Sequence, residues 1–152
     1  MMTLKKVISG GQTGVDFAAL RAARDAGLET GGSVPQGFLT EIGPAPLLRE
    51  FGLVETSSSS YVPRTENNVK NSDATLWYGN TTSRGGLLTR RMCDKHGKAF
   101  IIINNDTSQS IFELIRDRGY QTINVAGNRE SISPGIEMRA YALLFPAFCG
   151  GF

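Results

Sequence analysis

The stretch KKVISGGQTGVD, residues 5–16, constrains the fold more than any other. Val7 and Ile8 run straight into Ser9, Gly10 and Gly11; Gln12, Thr13 and Gly14 follow, and a helix opens near Val15 and Asp16. Paired glycines let the backbone turn sharply and come close to a ligand. The new helix offers unpaired N–H groups and the positive end of its dipole, which suit an anion such as phosphate. The rest of the chain has to build a sheet beneath this loop and bring other loops up beside it.

The remaining pattern does so. Residues 4–9 read as a strand and 15–26 as a helix closed by Gly27. Ala19, Ala22, Ala23 and Ala26 share one face of that helix, which lets it sit close to a sheet. Residues 31–35 read as a short strand. Residues 36–63 look irregular, with Pro44, Pro46 and a serine run at 57–60, and are expected to form a lid or wall over a site, or a surface excursion. Residues 63–72 read as a helix, 74–78 as a strand, 87–96 as a helix, 99–104 as a strand covered on both faces, 110–118 as a helix and 122–126 as the last strand. Pro134 is expected to start a final helix that Pro146, Gly150 and Gly151 end. Alternating strands and helices predict an α/β fold with a mostly parallel sheet and helices on both faces.

A chain of 152 residues predicts a single domain spanning 1–152. The net charge of +2 gives no ground for a nucleic-acid partner held by charge alone. His96, Cys93 and Cys149 do not make a zinc cluster of familiar spacing. Two distant cysteines fit a reducing cytoplasm. No run approaches the ~20 apolar residues of a membrane helix, and the short apolar run after Lys6 is no signal peptide. The expectation is a cytoplasmic protein with no membrane partner.

Three polar loops leave strand carboxyl ends, at 9–14, 80–86 and 127–130, and ligands of such sheets bind there. The first has neither the G-x-G-x-x-G nor the G-x-x-x-x-G-K-[ST] pattern. Gly10, Gly11, Gln12, Thr13 and Gly14 are the expected anion cradle, and Asp16 caps the helix or accepts a hydrogen bond from the ligand. On this reading Gly11→Val abolishes binding and leaves the fold intact. In the second loop Arg84, Gly85 and Gly86 open a helix with Thr89 one turn in, and an arginine there can grip an oxyanion bidentately. Arg64, Thr65 and Asn68 gather at a helix start, Thr65 and Asn68 sharing a face. The third loop adds Asn124, Gly127, Arg129 and Glu130. No nucleophile–base pair stands out, although Glu130, Asp16 and Glu66 are candidate acids or bases.

SGGQTGVD at 9–16, RTENNVKNSDATL at 64–76, the glycine pair at 85–86 followed by Thr89, and NVAGNRESISPGI at 124–136 together resemble the molybdenum cofactor carrier proteins of the Rossmann-like SLOG superfamily, which also holds the cytokinin-activating phosphoribohydrolases and the lysine-decarboxylase-like proteins. The resemblance runs from Val7 to about Leu144. It implies a Rossmann-like three-layer domain, assembly into homodimers or homotetramers, and molybdoenzymes as acceptors. It also implies a site at the strand carboxyl ends that holds and protects a phosphorylated pterin with its molybdenum, the molybdenum cofactor, with no metal ligation by side chains. The phosphoribohydrolases resemble P-G-G-x-G-T-x-x-E at the second glycine loop. Here S-R-G-G-L-L-T-R-R stands without that glutamate, which counts against nucleotide cleavage through that motif. The alternatives are a nucleotide-binding sensor and a nucleoside-monophosphate N-glycosidic hydrolase using Glu130 or Asp16.

Overall fold

The computed structural model describes residues 3–150; Gly151 lies outside them. In chain order the strands are β1 (Lys6–Ile8), β2 (Glu29–Val34), β3 (Leu39–Thr40), β4 (Gly43–Pro44), β5 (Leu53–Glu55), β6 (Ala74–Tyr78), β7 (Ala99–Ile102) and β8 (Thr122–Gly127). The α-helices are α1 (Val15–Asp25), α2 (Tyr61–Lys70), α3 (Arg84–His96), α4 (Ser108–Arg118) and α5 (Ile136–Phe148). One parallel sheet runs β5-β2-β1-β8-β6-β7, and β3–β4 is a separate antiparallel hairpin. Helices α1, α4 and α5 pack together on one face, and α2 and α3 on the other. This is the expected Rossmann-like three-layer α/β architecture. Among the described residues no helix is long and apolar enough to cross a membrane.

The topology places the site. From β1 the chain moves outward to β2 and β5, and from β6 it moves the other way to β7, with β8 between. The loops leaving β1, β8 and β6 therefore part at their carboxyl ends and open a crevice there.

The two faces differ in chemistry. Val7, Ile123 and Val125 are fully buried against Ala18, Ala19, Ala22 and Ala23 of α1 and Leu144 of α5. Small side chains let α1 lie close to the sheet. Side chains alternate along a strand, so Asn124, between Ile123 and Val125, faces α2 and α3. Thr75 is there too, hydrogen-bonded to Cys93 of α3. The apolar core on that side is small: Val69, Met92 and Cys93.

Residues 36–63 are more ordered than their pattern shows. They hold the β3–β4 hairpin, a 3-10 helix (Pro46–Phe51), the edge strand β5 and the start of α2. Leu48, Phe51 and Leu53 bury against Leu20, Val34 and Phe38. Each piece is too short to show a period. Ser60 caps α2 on the Val62 N–H at 3.2 Å, so Pro63 sits inside the first turn. Ser83 caps α3 on the Gly86 N–H, which draws Gly85 and Gly86 into the helix three residues before the apolar face begins. Two further expectations fail. β7 is an edge strand with Ile102 exposed. Pro146 lies within α5, which runs on to Phe148. A proline near a helix C-terminus removes one N–H and leaves the last turn in place.

Candidate functional site

Asn128, directly after β8, ties the three loops together. Its backbone oxygen accepts from the Val15 N–H at the start of α1 (3.2 Å) and its N–H donates to Tyr78 at the end of β6 (3.2 Å). Its Oδ1 accepts from the Asn80 N–H (2.6 Å) and its Nδ2 donates to Ser83 Oγ (3.3 Å). Gly127 precedes it without a side chain, because a Cβ there would lie 2.1 Å from the Tyr78 oxygen.

The first loop is largely satisfied from within. The Gly11 N–H donates to Ser9 Oγ (3.2 Å), the Gln12 N–H to Asp16 Oδ2 (3.2 Å) and the Thr13 N–H to Gln12 Oε1 (3.0 Å). Gly11 has φ +71° and packs on Val34, Leu48 and Leu53, each 2.9 Å from where its Cβ would stand. Gly11→Val therefore strikes the core and does not leave the fold intact. Gly10 is different. Its missing Cβ would stand 1.9 Å from Arg64 Nη1, so its bareness makes room for a guanidinium.

Arg64 reaches the loop from α2. Its Nη1 is 3.7 Å from Asp16 Oδ2, with 14% and 4% of the two side chains exposed. The guanidinium lies 5.1 Å from the centre of the Tyr61 ring, and the Tyr61 hydroxyl accepts from Gln12 Nε2 at 3.3 Å. Burial pushes Asp16 up to about 6, against the pull of Arg64 and of the Gln12 and Gly10 N–H groups. Burial also lowers the Arg64 pKa, and Arg129 acts in the same direction. Arg129 thus brings a second positive charge near Arg64.

Glu41, at the tip of the β3–β4 hairpin, is a site residue the sequence does not announce. Its carboxylate accepts from the hydroxyls of Thr13 and Ser131, and from the Ser131 N–H at 3.2 Å. Its own N–H donates to Gln12 Oε1 at 2.9 Å. Thr13 Oγ1 in turn accepts from the Glu130 N–H at 3.2 Å. Burial works against the charged form of Glu41, but the bonds from Ser131 and Thr13, with Arg129 nearby, hold it below the usual carboxylate range. The hairpin so forms a strap over the first and third loops. Glu41→Ala should release it at a cost of about 1.5 kcal/mol, the low end of the range for hydrogen bonds to a charged group. Limited proteolysis should then cut near residues 37–45 faster than in the parent; an unchanged cleavage rate would show that Glu41 does not hold the strap.

The other expected residues divide. Asn68 spends both ends of its amide on Ser33, accepting at 2.8 Å and donating at 3.1 Å, and so holds β2. Glu130 accepts from the Gly135 N–H (2.6 Å) and the Glu137 N–H (3.0 Å) and caps α5. Those bonds keep its carboxyl below the usual range. Arg84 is exposed at the first position of α3, Gly85 beside it has only Trp77 near its missing Cβ, and Gly86 packs against Thr81. Thr65 and Thr89 are buried, on α2 and α3. Asn124 donates to Thr75 Oγ1 at 3.1 Å. His96 and Lys95 both bond Glu66 at 2.7 Å and staple α3 to α2, so Glu66 serves packing. Among the described residues no three His, Cys, Asp or Glu side chains gather as a metal cage.

Comparison with known proteins agrees with this arrangement. The model of the circularly permutated YpsA SLOG family matches residues 7–148. A solved structure from Syntrophus aciditrophicus SB, described as "Putative molybdenum carrier protein", is 33% identical. The match covers 97% of this chain and 96% of that one, with a TM-score of 0.85. No curated protein matches. The three tied loops, the Arg64–Asp16 pair and the three-layer sheet are thus features of a chain that belongs to the circularly permuted YpsA family of the SLOG superfamily.

Proposed function

We propose that this protein is a carrier of molybdenum cofactor: a non-catalytic, single-domain cytoplasmic protein that binds and shields a phosphorylated pterin at the strand carboxyl ends. The observation that supports it most is the buried Arg64 guanidinium beside Gly10, with Arg129 near it, in a chain similar end to end to a protein described as a molybdenum carrier. Arg84 and Gly85 at the start of α3 would take the phosphate at the positive end of the helix dipole, beside the exposed Arg84 cation, with Gly86 shaping the turn through its bond to Ser83. Arg64, given room by Gly10, and Arg129 would face the ligand's other oxygens, and Gly11, Gln12, Thr13 and Gly14 would hold the loop's shape beneath them. Asp16, Thr65, Asn68, Thr89, Asn124, Gly127 and Glu130 would line or shape the site. The molybdenum is cargo, held by the pterin's dithiolene. Homodimers or homotetramers and molybdoenzyme acceptors complete the reading.

A nucleotide sensor uses the same chemistry, because nucleotides share the phosphate and the flat heterocycle. The hydrolase alternative has less behind it: Glu130 is committed to capping α5, and Asp16 to Arg64. The test is anaerobic native mass spectrometry of freshly purified protein, with the ligand released and identified. Bound pterin with molybdenum supports the carrier; bound nucleotide, or nothing after co-expression with cofactor synthesis, counts against it. Arg84→Glu should lower the bound fraction at least tenfold and leave the melting temperature unchanged, because the side chain is exposed at a helix start. A bound fraction equal to that of the parent would remove Arg84 from the site.

A further inference from the structure

Among the described residues, two buried side-chain atoms have no hydrogen-bond partner: Arg64 Nε and Asn124 Oδ1. One is a donor and the other an acceptor. They face the same side of the sheet. Asn124 is paired in register with Ile8, and Gly10, under the Arg64 guanidinium, lies two residues further along. Alternation turns Ile8 and Asn124 to one face, the Asn124–Thr75–Cys93 chain identifies it as the face covered by α2 and α3, and Gly10, past the end of β1, meets Arg64 of α2 on the same side. Two residues of extended chain span ~7 Å, the scale of one small bicyclic ring. On this face a cavity of about 330 Å³ is lined by Ile8 and Thr122, the strand neighbours of Asn124, and by Asn68, one turn along α2 from Arg64. Lys6 lines it too, and Lys6–Thr122 and Ile8–Asn124 are the two alternate register pairs of β1 and β8 that turn to this face.

We propose that this face between Arg64 and Asn124 is the slot for the ligand's heterocycle, and that it selects a ring edge carrying both an acceptor and an N–H donor, such as the lactam–amino edge shared by pterins and guanine. The assignment rests on the small-molecule-binding reading above and adds which part of the ligand sits where. A phosphate or molybdate oxygen would satisfy Arg64 but meet the Asn124 oxygen as a second lone pair. An apolar guest would satisfy neither. An acceptor on the ring answers Arg64 Nε–H, and a ring or amino N–H answers Asn124 Oδ1. An unpaired buried oxygen also costs stability in the free protein, and groups kept at such a cost concentrate at binding sites.

The test titrates the full chain with 6-hydroxymethylpterin, guanosine monophosphate and ribose 5-phosphate. The parent should bind at least one ring-bearing probe, and the preferred one distinguishes pterin from guanine nucleotide. Asn124→Val should weaken that probe at least tenfold, leave ribose 5-phosphate within twofold, and melt at or above the parent temperature. Asn124→Ala, measured the same way, guards against a packing fault from the branched side chain. Equal losses for ring-bearing and ring-free probes, no loss at all, or a parent that binds neither ring probe would each overturn the slot. The carrier reading is judged separately, by the molybdenum and pterin found in the purified protein, and stands if only the slot fails.

Discussion

At pH 7, Arg64→Met is expected to cost about 3–5 kcal/mol of folding stability, the range for removing one partner of a buried ion pair. The residue left behind is the reason. Asp16 is 3% exposed and has its counter-charge 3.7 Å away. With Arg64 present its pKa already stands at about 6, against 3.8 for an ordinary aspartate. Between those two values the folded protein holds a proton that the unfolded chain has released. The contribution of Asp16 to stability is therefore complete below pH 3.8 and lost as the pH rises through about 6; a shift of about two units corresponds to about 3 kcal/mol. Removing Arg64 takes away an interaction that lowers this pKa, so in the variant the loss extends to higher pH. The stability gap between parent and variant should widen from pH 5 to pH 8 and shrink on acidification. Adding Asp16→Asn to the variant should restore most of the loss, since the amide keeps an acceptor for the Gln12 N–H and carries no charge. Urea titrations at pH 5, 7 and 8 measure this. A gap that does not change with pH, and no rescue by the double substitution, would mean that Arg64 acts through packing alone.

The same pair shows how far a sequence carries the site. Gly10, Asp16 and Arg64 stand out as a glycine turn, a helix-start acid and a helix-borne cation, and the structure brings those three together. The alternation of strands and helices likewise carries the sheet and the three loops at its carboxyl end. Glu41, Asn128 and Tyr61 do not stand out, because their roles lie in partners 28 to 90 positions distant: Thr13, Ser131, Asn80 and Gln12. An isolated acid in an irregular stretch has no period, and a side chain that joins loops has no local signature. Gly11 and Gly14 were conspicuous for the wrong reason. They look like open backbone for a ligand, and both are filled against the protein itself. Short elements such as β5 were hidden because three residues cannot display an alternation.

Gly14 makes the point quantitative. It has φ +79°, and a Cβ there would stand 2.4 Å from the Asn128 oxygen and 2.8 Å from the Glu130 nitrogen. Both neighbours are backbone atoms and cannot rotate aside. The Asn128 oxygen also accepts the Val15 N–H, so any retreat breaks the bond that joins the third loop to the start of α1. Gly14→Ala thus adds the cost of a backbone conformation (φ +79°, ψ −128°) that side chains rarely adopt, about 1–3 kcal/mol, to an overpacking cost of about 1–3 kcal/mol, and should destabilise by about 2–6 kcal/mol. Gly27 supplies the control. Its φ is +82°, and nothing lies within 4 Å of its missing Cβ, so Gly27→Ala should lose only a conformational cost of about 1–2 kcal/mol. Denaturant midpoints for the two variants separate close approach from backbone strain. Equal losses would show that the first and third loops yield to each other, and that the crevice at the strand ends is softer than the tie through Asn128 requires.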